Sequence, residues 1–143
     1  MNRQSILRVT SKTLIPAILL FGLYVQFHGD YGPGGGFQAG VIFASAFILY
    51  ALVFGVASAR RVATPNLVRV TLALGLLLYA GVGVAGLLLG GNYLNYSVLA
   101  HDPVHGQHLG IILIEFGVGV TVAAAMITIY FIFAGQDPGA TEE

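Results

Sequence analysis

The chain has 143 residues, 57% hydrophobic and 8% charged, against about 25% charged in a typical soluble domain. Six basic and six acidic side chains cannot coat a globule of this size, so a water-soluble fold is not expected. Zero formal net charge leaves no electrostatic case for nucleic acid, and the absence of Cys excludes disulfides, iron–sulfur ligation and thiol catalysis.

At the N-terminus Arg3, Arg8 and Lys12 alternate with Ile6, Leu7 and Val9, which reads as an interfacial lead-in. A first span is expected near 13–29, short for a membrane that needs about 20 apolar residues. Pro16 then falls in its first turn, where a missing N–H costs little. A basic start before an apolar run also suits a signal peptide. The bulky Tyr24-Val25-Gln26-Phe27-His28 offers no small-residue cleavage site, so the span is read as retained.

The loop His28-Gly29-Asp30-Tyr31-Gly32-Pro33-Gly34-Gly35-Gly36-Phe37 follows. Glycine permits positive φ and close backbone approach, and Pro33 fixes the start of the turn. On spacing alone, a tight outer hairpin without a ligand comes first. The second reading is irregular backbone packed on a partner or lining a polar cavity, where non-helical chain survives at membrane depth.

Spans near 37–59 and 68–91 come next, separated by Arg60, Arg61 and Arg69. Gly81-Val82-Gly83-Val84-Ala85-Gly86 matches the dinucleotide fingerprint, but no strand precedes it. It reads as a helix-packing face continued by Gly86 and Gly90 at small-xxx-small spacing. Asn95-Tyr96-Ser97 fits a glycosylation acceptor only in a eukaryotic secretory route. His101, Asp102, His105 and His108 occupy the following loop. A metal site needs three or four rigid ligands, and a wet loop with Gly106 suits proton buffering or partner contact better.

The last span, near 108–134, carries Glu115. An ionisable group inside a span costs about 2.5–3.5 kcal/mol on insertion scales and is a functional candidate. Gly119 and Ala123 share its face, so the carboxyl should face protein or a watery cavity rather than lipid. The bland reading is a carboxyl fixed by neighbouring helices. His108 lies two turns earlier on the same side.

All six Lys and Arg fall before the first span or between the second and third. The positive-inside rule then puts both termini in the cytoplasm. Tyr93 and Tyr96 would form an outer aromatic belt, and Tyr130, Phe131 and Phe133 an inner one. The reading is an all-α integral membrane protein, one domain over 1–143, with a bundle of four transmembrane helices. No catalytic triad, paired-carboxylate set or phosphate loop is present, so no enzyme activity, metal or cofactor is expected. Small-residue faces at Gly36/Gly40 and Gly86/Gly90 exceed what four helices can bury, which calls for partner subunits.

The run from His28 to Gly40, with its Pro33-Gly34-Gly35-Gly36-Phe37 core, resembles the signature of the B subunit of Mrp-type (MnhB) multisubunit sodium/proton antiporters. The stretches Ala46 to Gly55 and Glu115 to Val122 are similar to the same family. The resemblance covers nearly the whole chain. It implies an accessory membrane subunit of a monovalent cation/proton antiporter in the bacterial inner membrane, with other membrane subunits as partners. Glu115, with His108, His28 and Asp30, is read as a candidate for an ion or proton path. An equivalent subunit of a membrane-bound, hydrogenase-like redox pump is the alternative. A stand-alone four-helix exporter is a third reading, though such proteins carry their essential acid in the first helix.

Overall fold

The computed structural model describes residues 3–29 and 32–135. Among them are five α-helices: α1 (Arg3–His28), α2 (Gly36–Phe54), α3 (Val56–Val62), α4 (Pro65–Leu88) and α5 (Pro103–Ala134). A short 3-10 turn, Tyr96–Val98, lies between α4 and α5. Four helices, all but α3, are long and apolar enough to cross a membrane.

The helix limits depart from the hydropathy limits at three places. First, α1 begins at Arg3, not near residue 13, so Pro16 sits mid-helix and exposed. Nothing between Arg3 and Pro16 breaks a helix. The proline removes one backbone bond, a loss that membrane helices tolerate through local adjustment. Second, the expected 37–59 span breaks at Gly55. There φ is 94° and ψ is 148°, a conformation costly for any residue with a Cβ. Gly55 N–H closes α2 on Ala51 O at 2.9 Å, and α3 starts afresh, carrying Arg60 and Arg61.

Third, α5 begins at Pro103. Asp102 Oδ1 accepts the Val104 N–H at 3.0 Å and Pro103 occupies the first turn, a strong start signal. Thr64 caps α4 in the same way, accepting from Leu67 N–H at 3.3 Å ahead of Pro65. The far end of α4 closes as a Schellman turn. Gly90, at φ 85°, donates to Leu87 O, and Gly91 donates to Gly86 O. Gly86 and Gly90 therefore end a helix; they do not form the expected helix-packing stripe.

The spans pack in the order α1, α2, α5, α4. α1 and α2 form an antiparallel hairpin, in which Gly22 meets Phe43 and Ile42. α2 and α5 run parallel, with Gly36 at Glu115 and Gly40 at Gly119. α4 and α5 are antiparallel, with Gly75 at Gly117 and Thr121. Small residues make these seams. Ala39, Ala44, Ala46, Ala51, Ala59 and Ala124 are buried, while Leu88 is 82% exposed. Interiors of small residues with Leu outside suit helices that pack by backbone approach in lipid. The Gly36/Gly40 face, expected to be exposed, is buried within the chain against α5.

One larger cluster closes the basic end. Phe131 is buried among Ala51, Ala59, Val68 and Ala124, and meets Phe47 edge-on at 5.8 Å. It belongs to the core, not to an aromatic belt. Arg60 Nη2 donates to Phe131 O at 3.1 Å, and Arg60 Cζ stands 5.5 Å from the Phe131 ring centre. That contact caps the C-terminal end of α5 with a cation. The start of α1, α3 and the end of α5 thus share one end of the molecule, which carries all the Lys and Arg.

The other end is stepped. The hairpin tip stands level with Glu115, the thirteenth residue of α5. The first twelve residues of α5, about 18 Å at 1.5 Å per residue, project beyond it with the end of α4. The 92–102 segment folds over that projection. Tyr93 packs on Gly83 and Tyr96 on Gly110, while Gln107 Nε2 donates to Ser97 Oγ at 2.8 Å. The glycine face of α4 therefore receives a loop, not a second helix.

Candidate functional site: a glycine loop folded onto a membrane carboxylate

The site grows from three chain segments. α1 ends at His28, and the turn is held by Gly32 N–H to His28 O at 3.2 Å and Gly35 N–H to Val25 O at 3.1 Å. Gly35 then caps α2 with φ 109°, backbone that a side chain would strain. The third segment is α5, whose Glu115 reaches into the turn.

The glycines show how close that reach is. A Cβ placed on Gly29 would lie 2.5 Å from both Glu115 carboxylate oxygens, and one on Gly35 would lie 2.9 Å from Oε1. A Cβ on Gly36 would overlap the Glu115 main-chain oxygen. Glu115 is half-buried, with its carboxylate against the loop at Gly29 and Gly35. The loop is therefore not a bare hairpin: Gly29 and Gly35 receive an acidic side chain from α5.

The remaining motif residues divide. His28 is half-buried, its ring stacked on Tyr24 at 5.1 Å, with Nε2 facing Gly32. Pro33 and Phe37 are exposed, Phe37 at 62%, so the motif presents its aromatic outward. Gly34 packs on Val25 O. Asp30 lies outside the described residues.

Gln26 was not legible as a site residue. It is buried in α1, and its Oε1 lies 2.6 Å from where a Cβ on Gly119 would stand, one turn from Glu115 on α5. The signal was present: a lone amide in an apolar run, which is costly to bury unless bonded. Gln26 also lines an apolar groove of about 380 Å³ between α1 and α4, floored by Gly119 and Ala123.

The histidine loop proves to be part of α5. His105 and His108 lie in its first two turns, both exposed. Asp102 is the helix cap and sits 3.5 Å from His105 Nδ1. Nor is the loop loose: Tyr96 O packs on Gly106, and Asn95 Oδ1 accepts the Ser97 N–H at 3.2 Å. Burial pushes the Tyr96 phenol up from its ordinary value, with Tyr79 and Tyr93 adding to the effect, so it stays neutral at physiological pH. His108 stands on the projecting part of α5, seven residues and about 10.5 Å along the axis from Glu115.

Residues 6–128, which include both the loop and Glu115, match the family described as a domain related to the MnhB subunit of Na+/H+ antiporter. The chain belongs to the MnhB family. A protein of Staphylococcus haemolyticus with the provisional name antiporter subunit mnhB2 is 34% identical over 133 residues, covering 91% of this chain and 94% of the relative. A Staphylococcus aureus (strain Newman) protein of the same name is 33% identical over the same share of each chain. MnhB membership and four membrane-length helices make this a multi-pass membrane protein, and the relatives are bacterial.

Proposed function

We propose that this MnhB chain is an accessory subunit of a multisubunit sodium/proton antiporter. It works with other membrane subunits, its basic end faces the cytoplasm, and Glu115 forms part of a proton or cation path. The observation that carries the reading is the Glu115 carboxylate set against Gly29 and Gly35 at the hairpin tip. A carboxylate this close to the loop main chain couples any change in its charge to the hairpin tip. His108, up the projecting face of α5, marks the side from which protons or cations arrive.

The test compares two variants in the reconstituted complex. Glu115→Gln keeps shape and hydrogen bonding but cannot titrate. It should lower exchange or shift its pH profile while the complex still assembles. Normal exchange across pH in Glu115→Gln, with subunit loss only in Glu115→Ala, would show a structural carboxyl and end the path reading.

A further inference from the structure

At the basic end a second cleft, of about 350 Å³, opens between α3, α4 and α5. Arg60, Arg69, Thr128 and Gly135 line it, with Val68 and Ile132 as its apolar wall. Arg60 is already fixed by its bond to Phe131 O and its place over the Phe131 ring. A guanidinium has five N–H donors, so most remain for a further acceptor. Arg69 enters the cleft from the second turn of α4.

Two guanidinium groups on one cleft repel each other unless an anion lies between them. The carboxylates of the described residues, Asp102 and Glu115, lie on the far half of α5 and its cap, away from this end. The surroundings are apolar: Ile132 is 56% exposed, and Val62, Val70 and Phe133 are exposed in neighbouring turns. Basic clefts between spans at the membrane surface suit lipid headgroups, and Arg pairs with phosphate in a bidentate fork.

We propose that the Arg60–Arg69 cleft binds the phosphate of an anionic phospholipid, whose acyl chains run along Ile132 and the exposed faces of α4 and α5. The ligand chemistry is a phosphate bearing hydrocarbon: the two arginines hold the charge, and the apolar wall distinguishes a lipid from a free anion. The site is separate from Glu115 and stands whether or not that residue carries ions.

The experiment places the whole complex in nanodiscs of phosphatidylcholine with a minor fraction of phosphatidylglycerol. Native mass spectrometry then reads the phosphatidylglycerol retained. Arg69→Gln should reduce retention roughly tenfold, the loss of one charge-assisted bond, and Arg69→Lys should reduce it less. Arg61→Gln, on α3 but outside the cleft, should leave it unchanged. Equal losses at Arg61 and Arg69 would mean diffuse attraction and overturn the site. Displacement by excess inorganic phosphate would reduce it to a free-anion site and overturn the lipid. Retention that appears only after removal of 136–143 would mean the acidic tail fills the cleft, again overturning it. A photo-crosslinker at Ile132 in an otherwise unaltered chain gives a readout independent of the arginine variants. Preferential labelling of phosphatidylglycerol supports the site, and equal labelling of both lipids sinks it.

Discussion

Gly36 has no tolerance for a side chain, because its missing Cβ is where the Glu115 carbonyl stands. Gly36→Ala must therefore push α2 off α5, at a cost of about 1–3 kcal/mol for an overpacked interior. Lower yield of assembled complex and a lower unfolding temperature would show it. Gly81→Ala, with open space around it, should change neither. Gly35→Val combines positive φ with the Glu115 contact and should impair assembly or exchange more than a typical surface change. Normal yield and activity in that variant would return the loop to a plain hairpin. The residues of this site were legible one at a time. Glu115 stood out as an acid in a span, and the glycines as an odd run before one. Their meeting was not legible, since it depends on the parallel register of α2 on α5. No local period encodes that register. Gln26 was passed over because a neutral amide barely disturbs a hydropathy pattern.

Hydropathy reports where a helix enters lipid, not where the helix starts, and the departures at α1 and α5 have that origin. The basic lead-in and the His-bearing turns are polar enough to leave the apolar window, yet contain nothing that stops a helix. Capping chemistry sets the starts at Pro65 and Pro103, where the Thr64 and Asp102 side chains accept free N–H groups of the first turn. Gly55 gave no hydropathy signal, because the break it makes is a matter of φ alone. Gly55→Ala should cost about 1–3 kcal/mol, the usual penalty for a side chain in such a region. It should also loosen α3 from the end of α5. Arg60→Gln removes the cap on Phe131 O and the cation–π contact, a part-buried pair worth about 1 kcal/mol. Thermal unfolding of the assembled complex would measure both. An unchanged midpoint in Arg60→Gln would show that the contact contributes nothing to stability.

The four-span layout was visible from composition and from the spacing of the apolar runs. The packing order was not, because a run of leucines does not say which neighbour it faces. Gly36 and Gly40 are consumed inside the chain, so exposed glycine stripes no longer call for partner subunits; MnhB membership does. Orientation can be tested directly, since the chain has no Cys of its own. Single Ala57→Cys and Val104→Cys variants, both at exposed positions, lie at opposite ends. A membrane-impermeant thiol reagent applied to intact cells should label Cys at 104 and spare Cys at 57. The opposite pattern would invert the cytoplasmic assignment.

The stepped end has a consequence for the surrounding bilayer. α2, at 19 residues, is about 28 Å long, close to a hydrocarbon thickness of about 30 Å. The 24 residues of α4 extend about 36 Å and the 32 of α5 about 48 Å. The chain therefore sets a short α2 beside a much longer α5, and bilayers answer such mismatch by tilt or local thinning. A neighbour seated over the hairpin tip would restore even thickness and wall the recess above Glu115 in the same act. Hydrophobic matching thus favours a neighbour over the hairpin tip, beside the first turns of α5.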